Sequence, residues 1–237
     1  METPGTVRPA ASVEPAQWLM SDALDDWSET VRWGPRGFEV YARVDFDARD
    51  GHDDEADPER LLTALLPTLA DHTSTPDECF AAVWEGRSGP DTPLLEAPVV
   101  DLPERRMFLF EVASRDLRDV PALAWSGDDL VDHGPAPDLA WPADRAWLVA
   151  WDVDEALAFT IACSERAYAA LTAALPDRVR RAQRGDPEPL YAPGGHGEPI
   201  DPRALGEPVP AGDPGFMRYA GLGLLGGFGI GGLSDGG

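Results

Sequence analysis

WPADRAWLVAWDVDEALAFTIACSER, residues 141–166, is the stretch whose reading decides the fold. It gathers three tryptophans, a Trp-Pro-Ala-Asp-Arg run and a cysteine, so it reads either as a reactive centre or as the middle of a sheet. Alternation favours the sheet. Arg145, Trp147, Val149, Trp151 and Val153 fall on one face of an extended chain, and Ala146, Leu148, Ala150 and Asp152 on the other. A strand that is largely apolar on both faces is an interior strand. Asp154 and Glu155 then turn the chain into residues 159–163, its expected hairpin partner. Ser164 is placed to cap a last helix carrying Ala167, Tyr168, Leu171, Ala174 and Leu175, which Pro176 ends.

Upstream, residues 14–31 carry Trp18, Leu19, Ala23, Leu24, Trp27 and Val31 at helical spacing, which predicts an amphipathic helix. The Trp33-Gly34-Pro35-Arg36-Gly37 run breaks it. Phe38, Val40, Ala42, Val44 and Phe46 next alternate with Glu39, Tyr41, Arg43 and Asp45, the period of a half-exposed strand. Asp57-Pro58-Glu59 starts a second helix whose leucines, 61, 62, 65, 66 and 69, form its buried stripe, with Pro67 kinking or shortening it. Residues 79–85 read as a central strand, and 99–102 and 106–112 as two more. Residues 127–142 look rich in turns. This order predicts an α+β fold, a mainly antiparallel sheet of about five strands with two to three packed helices.

Beyond the helix the composition changes. Residues 185–215 hold 8 prolines and 7 glycines with almost no apolar period, a composition that cannot offset the entropy of ordering. The expected organisation is a disordered start at 1–13, one domain at 14–176, a linker at 177–215 and a Gly-rich apolar tail at 216–237, the last two making a disordered C-terminal arm.

The net charge is -24, and 35 of the 43 acidic residues precede position 177. Such a surface repels phosphate backbones, so nucleic acid is excluded as a partner, while a basic protein partner suits it. All 19 basic residues are arginine. No apolar run reaches the roughly 18–20 residues of a membrane span, and no secretory leader pattern opens the chain, so a cytoplasmic location is expected.

Reactive chemistry finds little support. The acidic run at 45–57 fails the calcium-loop register, with Arg49, Asp50 and Ala56 at positions that need an oxygen ligand, a glycine and a glutamate. His52, His72, His133 and His196 never take the spacing of a zinc site. Cys163, with His133 and Asp152 elsewhere, lacks any nucleophile motif around it and reads as a buried thiol. No catalytic residue, metal or cofactor is assigned, and the expected class is a non-enzymatic interaction or scaffold protein. Arg145 is the candidate recognition residue: a cation over an aromatic ring, a recognition arginine, or a structural partner of Asp144 or another acid.

Two resemblances complete the reading. Between residues 34 and 175 the runs WGPRGFEVYARV, CFAAVWEG, PERRMFLFEV and WPADRAWLVAWDVD resemble an uncharacterised actinobacterial family of cytoplasmic proteins from high-GC genomes, which implies a folded domain and carries no activity or ligand. At the other end, Phe228-Gly229-Ile230-Gly231-Gly232-Leu233 is similar to the cargo-loading peptide of encapsulin systems, although Phe228 stands where leucine is usual and Ser234-Asp235 follows where a basic residue is common. That resemblance implies docking on an encapsulin shell through Phe228, Ile230 and Leu233. The terminal Gly236-Gly237 matches the end of sulfur-carrier proteins, but the element order lacks their ββαββ pattern.

Overall fold

Among the described residues there are nine strands, most of them alternating or continuous apolar runs: β1 (Arg8–Pro9), β2 (Val40–Asp45), β3 (Cys79–Trp84), β4 (Val99–Leu102), β5 (Arg105–Val112), β6 (Leu139–Pro142), β7 (Leu148–Ala150), β8 (Ala158–Cys163) and β9 (Val179–Ala182). The helices are α1 (Gln17–Trp33), α2 (Pro58–Ala70) and α3 (Glu165–Ala174), with short 3-10 turns at Glu14–Ala16 and Ser114–Asp119. The structure, a computed structural model, describes residues 7–46, 58–85, 97–103, 105–120, 137–152, 155 and 157–189. Phe228, Ile230 and Leu233, with the expected linker beyond residue 189, lie outside the described residues.

All nine strands join one sheet in the order β1-β5-β3-β6-β7-β8-β2-β9, with β4 also on β5, and every described pairing is antiparallel. β1 and β4 share one edge of β5: Ala10 N donates to Leu109 O at 3.0 Å, and Leu109 N donates to Pro98 O at 2.9 Å. The α+β class with a mainly antiparallel sheet is therefore the observed one.

Both sheet faces are covered. On one, the leucine stripe of α2 and Ala167 and Leu171 of α3 pack on Ala42, Val44, Val149 and Ile161. On the other, Leu19, Val31 and Trp33 of α1 meet Ala82, Leu109, Leu148 and Ala162. Ser164 accepts a hydrogen bond from Ala167 N at 3.2 Å, as its N-cap position requires. α1 stops at Gly34, whose φ of +80° is a left-handed value and whose position leaves no room for a side chain, since a Cβ there would lie 2.5 Å from Leu148 Cδ2.

Four expectations are corrected. β2 is almost wholly buried rather than half-exposed, because Tyr41 bonds the Pro35 carbonyl after α1, Arg43 lies against Trp33 and Glu155, and Asp45 pairs with Arg180 of β9. The run at 145–153 is not one strand: only Leu148–Ala150 pairs, and a tight turn separates it from β6, a strand hidden in the turn-rich composition of 127–142. The start at 1–13 is partly built into the sheet, with Arg8 bonded to Glu111 at 2.7 Å beside the β1–β5 pairing. The folded unit also continues past Pro176, because β9 completes the sheet against β2.

What holds that last strand is a buried charge cluster. Thr160, Arg43 and Arg180 stand in one row across β8, β2 and β9. The Glu155 carboxylate, fully buried, accepts from both terminal nitrogens of Arg43, one at 3.1 Å and the other closer, and from Arg32 Nε at 2.9 Å. Arg43 also donates to Thr160 Oγ1 at 2.9 Å, and its guanidinium lies 5.0 Å from the Trp33 ring centre. Arg180 bridges Asp45 and Glu188, the latter through two bonds of 2.7 Å. That double bond from Arg180 outweighs partial burial and holds the Glu188 carboxyl below its usual range. Arg184 reaches back to Glu29 and the Gly34 carbonyl, both at 2.9 Å, so residues 184–188 are strapped to α1.

Candidate docking surface

The turn between β6 and β7 is tied down by hydrogen bonds within residues 142–146 and to residues 73–78. Asp144 accepts from Thr73 Oγ1, Ser74 N and Ser74 Oγ, all at 2.7 Å, and from Ala146 N at 3.1 Å. Partial burial raises its pKa, but these four donors outweigh burial and hold the carboxyl below its usual range. Ala143 N donates to Glu78 O at 2.8 Å, Asp144 N to Thr75 Oγ1 at 3.1 Å and Arg145 N to Pro142 O at 2.8 Å. Every backbone N–H from Ala143 to Ala146 is thus engaged.

Arg145 rides on this turn with φ of +57°, the one non-glycine residue in the left-handed region among the described residues. For an arginine that conformation costs about 1 kcal/mol or more, and such residues persist where the surroundings over-determine them. Its side chain is exposed, and the guanidinium lies 5.0 Å from the ring centre of Trp18 on α1. The cation-over-ring expectation is met with a different ring from Trp147, which is fully buried on the α2/α3 face. Asp144 is spent on the turn, and Arg145 makes no ion pair among the described residues.

Trp18 belongs to a row of aromatic rings. Phe38 stands 6.4 Å from it, Trp141 6.0 Å on the other side, and Phe80 6.1 Å beyond Trp141, centroid to centroid. Trp141 on β6 and Phe80 on β3 are direct register partners, which fixes that end of the row to the sheet. Trp141 is buried, whereas Trp18, Phe38 and Phe80 are half-buried, so three aromatic residues are partly exposed, the first of them beneath the Arg145 cation. The sequence marked Arg145 but not these rings: Trp18 reads as helix stripe and Phe80 as central strand, and no spacing brings residues 18, 38, 80 and 141 together.

Cys79 and Cys163 are buried, and burial pushes each thiol up to about 12, so both are neutral thiols at ordinary pH. Asp152 lies 3.5 Å from Arg105, which stacks 4.4 Å from the Trp84 ring centre. Glu155 is fully buried and clamped by two guanidiniums. No group of three His, Cys, Asp or Glu among the described residues is placed to hold a metal ion, and no helix among them is long and apolar enough to cross a membrane. His52, His133 and His196, and the acidic run beyond Phe46 up to Asp57, lie outside the described residues. The chain matches no protein-family model, no curated protein and no solved structure.

Proposed function

We propose that the protein is a non-enzymatic, acidic interaction module of the cytoplasm, and that the Arg145 turn with the Trp18, Phe38 and Phe80 edges is the surface on which a protein partner docks. The observation that carries this reading is Arg145 itself: an exposed arginine held in a strained conformation over an aromatic row by a turn whose backbone N–H groups are all engaged. Tryptophan and arginine are the residues enriched at binding hot spots, where they offer a large rigid contact at little entropic cost. A second copy of the chain is disfavoured as the occupant by self-repulsion at a net charge of -24, which suits a neutral-to-basic partner instead.

A photo-crosslinking side chain in place of Phe80 should form one dominant adduct in the producing cell, and Arg145→Glu should reduce it at least tenfold. The substitution forfeits an exposed cation-over-ring contact with Trp18, so stability should fall by no more than about 1 kcal/mol. An adduct indifferent to Arg145→Glu, or matched by the same label at exposed Arg166 on α3, would refute the assignment of the surface.

The C-terminal hexamer supports a second reading, an encapsulin cargo protein. Phe228, Ile230 and Leu233 would enter apolar pockets of the shell while Gly229, Gly231 and Gly232 let the backbone lie close to it. Each buried anchor contributes on the order of 1.5–3 kcal/mol, weak singly but retained by avidity on a many-copy shell. A reporter fused to residues 216–237 should then co-purify with the shell of the same organism, and Ile230→Asp with Leu233→Asp should abolish this. A reporter that stays outside the shell removes this reading and leaves the first untouched.

A further inference from the structure

Resting on the docking surface proposed above, we infer that its occupant presents a single acidic side chain to Arg145, with an apolar residue beside it lying on the Trp18 and Phe80 edges.

Charge complementarity decides the first part. Arg145 is exposed and offers a planar guanidinium over the Trp18 ring, with no carboxylate on it among the described residues. A guanidinium stacked this way keeps its in-plane donors for a bidentate carboxylate.

The turn also decides which carboxylate. Capture of a chain-terminal carboxylate ordinarily uses a nest of free backbone N–H groups. Here the four N–H groups from Ala143 to Ala146 are all taken, by Glu78 O, Thr75 Oγ1, Pro142 O and Asp144 Oδ1. The turn therefore contributes the guanidinium and no backbone cradle, which is the recognition set for a Glu or Asp side chain in mid-segment. Two exposed acids, Glu14 one turn before Trp18 and Glu78 two residues before Phe80, flank the row. They favour basic residues on either side of the recognised carboxylate and oppose a segment acidic throughout. The row of half-buried rings accepts the apolar neighbour, and Trp18 contributes an indole N–H that is buried without an acceptor among the described residues.

The inference is tested with two defined peptides on the full chain: acetyl-Arg-Phe-Glu-Leu-Arg-amide and the same peptide with Gln for Glu, both without a free terminus. The readouts are the Trp18 indole N–H and Arg145 Nε–H resonances, assigned by Trp18→Phe and Arg145→Gln. The Glu peptide should shift both signals and bind at least tenfold more tightly than the Gln peptide, and that ratio should collapse towards one in Arg145→Gln while the melting temperature is kept. Equal affinity for the two peptides, or no shift of either signal with both, overturns the carboxylate assignment. Crosslinking through Phe80 that still depends on Arg145 would then show that the surface docks a partner of other chemistry, so the two readings fail separately.

Discussion

Replacing Glu155 with alanine is expected to destabilise the protein by about 3–5 kcal/mol, because it leaves two guanidiniums facing a space with no counter-charge. Arg43 is only 1% exposed, and it would be left with the neutral Thr160 hydroxyl at 2.9 Å and the Trp33 ring, neither of them a carboxylate. Arg32 would keep its bonds to the Glu188 and Pro189 carbonyls, at 2.8 and 3.5 Å, and lose its carboxylate. Glu155→Gln should cost less, since the amide oxygen still accepts from one arginine while its NH2 group opposes the other. Urea unfolding checks this through the transition midpoint, with the slope unchanged if the native state stays compact. A loss below about 1 kcal/mol in the alanine variant would mean that Asp45 and Glu188 re-partner the arginines, and the cluster would then be redundant. Because the cluster joins α1, β2, β8, β9 and the strap after β9, the strap's amides should lose hydrogen-exchange protection in Glu155→Ala along with the strand.

Trp147→Ala is the second large effect, expected at about 3–5 kcal/mol from lost burial and the cavity left behind. The indole is fully buried between the sheet and α2, and its Nε1 donates to the Leu69 carbonyl near the end of that helix at 2.8 Å. Truncation therefore opens a void and removes one of two hydrogen bonds to the Leu69 carbonyl, which keeps the one from His72 N at 3.1 Å. Trp147→Phe separates the two contributions: most of the volume stays, the bond is lost, and the cost should fall to about 1–3 kcal/mol. Thermal unfolding of both variants measures this. A Trp147→Ala variant as stable as the parent would contradict the place of that indole in the core, whereas crosslinking through Phe80 should be unchanged in any folded variant, since Trp147 lies on the opposite face of the sheet.

The two residues also show how far the sequence could be read. Trp147 sits in a run apolar on both faces, and such a run has one stable destination, so its burial was legible without coordinates. The leucines of α2, the cap at Ser164 and the central place of β3 were legible in the same way, because each follows from spacing or local hydrogen bonding alone. Glu155 was read as a turn residue. Its burial depends on Arg43 and Arg32, more than a hundred residues away in sequence, and no local pattern announces such a pairing. The same blindness misplaced β2: Tyr41, Arg43 and Asp45 read as a solvent face by polarity, and they are covered because their partners, Pro35, Glu155, Thr160 and Arg180, come from other strands and from the connections between elements.

For the candidate site the division is similar. The Pro142-Ala143-Asp144-Arg145 turn and its arginine could be picked out by composition, but neither the left-handed backbone at Arg145 nor the ring beneath it could. Trp18, Phe38, Phe80 and Trp141 meet only because α1 crosses the face of the sheet on which β3 and β6 are register partners. What the sequence by itself determined is the set of elements with short-range causes: apolar period, caps, breakers and the antiparallel α+β class. What only the tertiary structure decided is which polar residues are interior, where the folded unit ends and which aromatics share a surface. The physical reason is that periodicity and capping act within a turn or a strand, whereas a buried ion pair or an aromatic row is stabilised only after distant segments have been brought into contact.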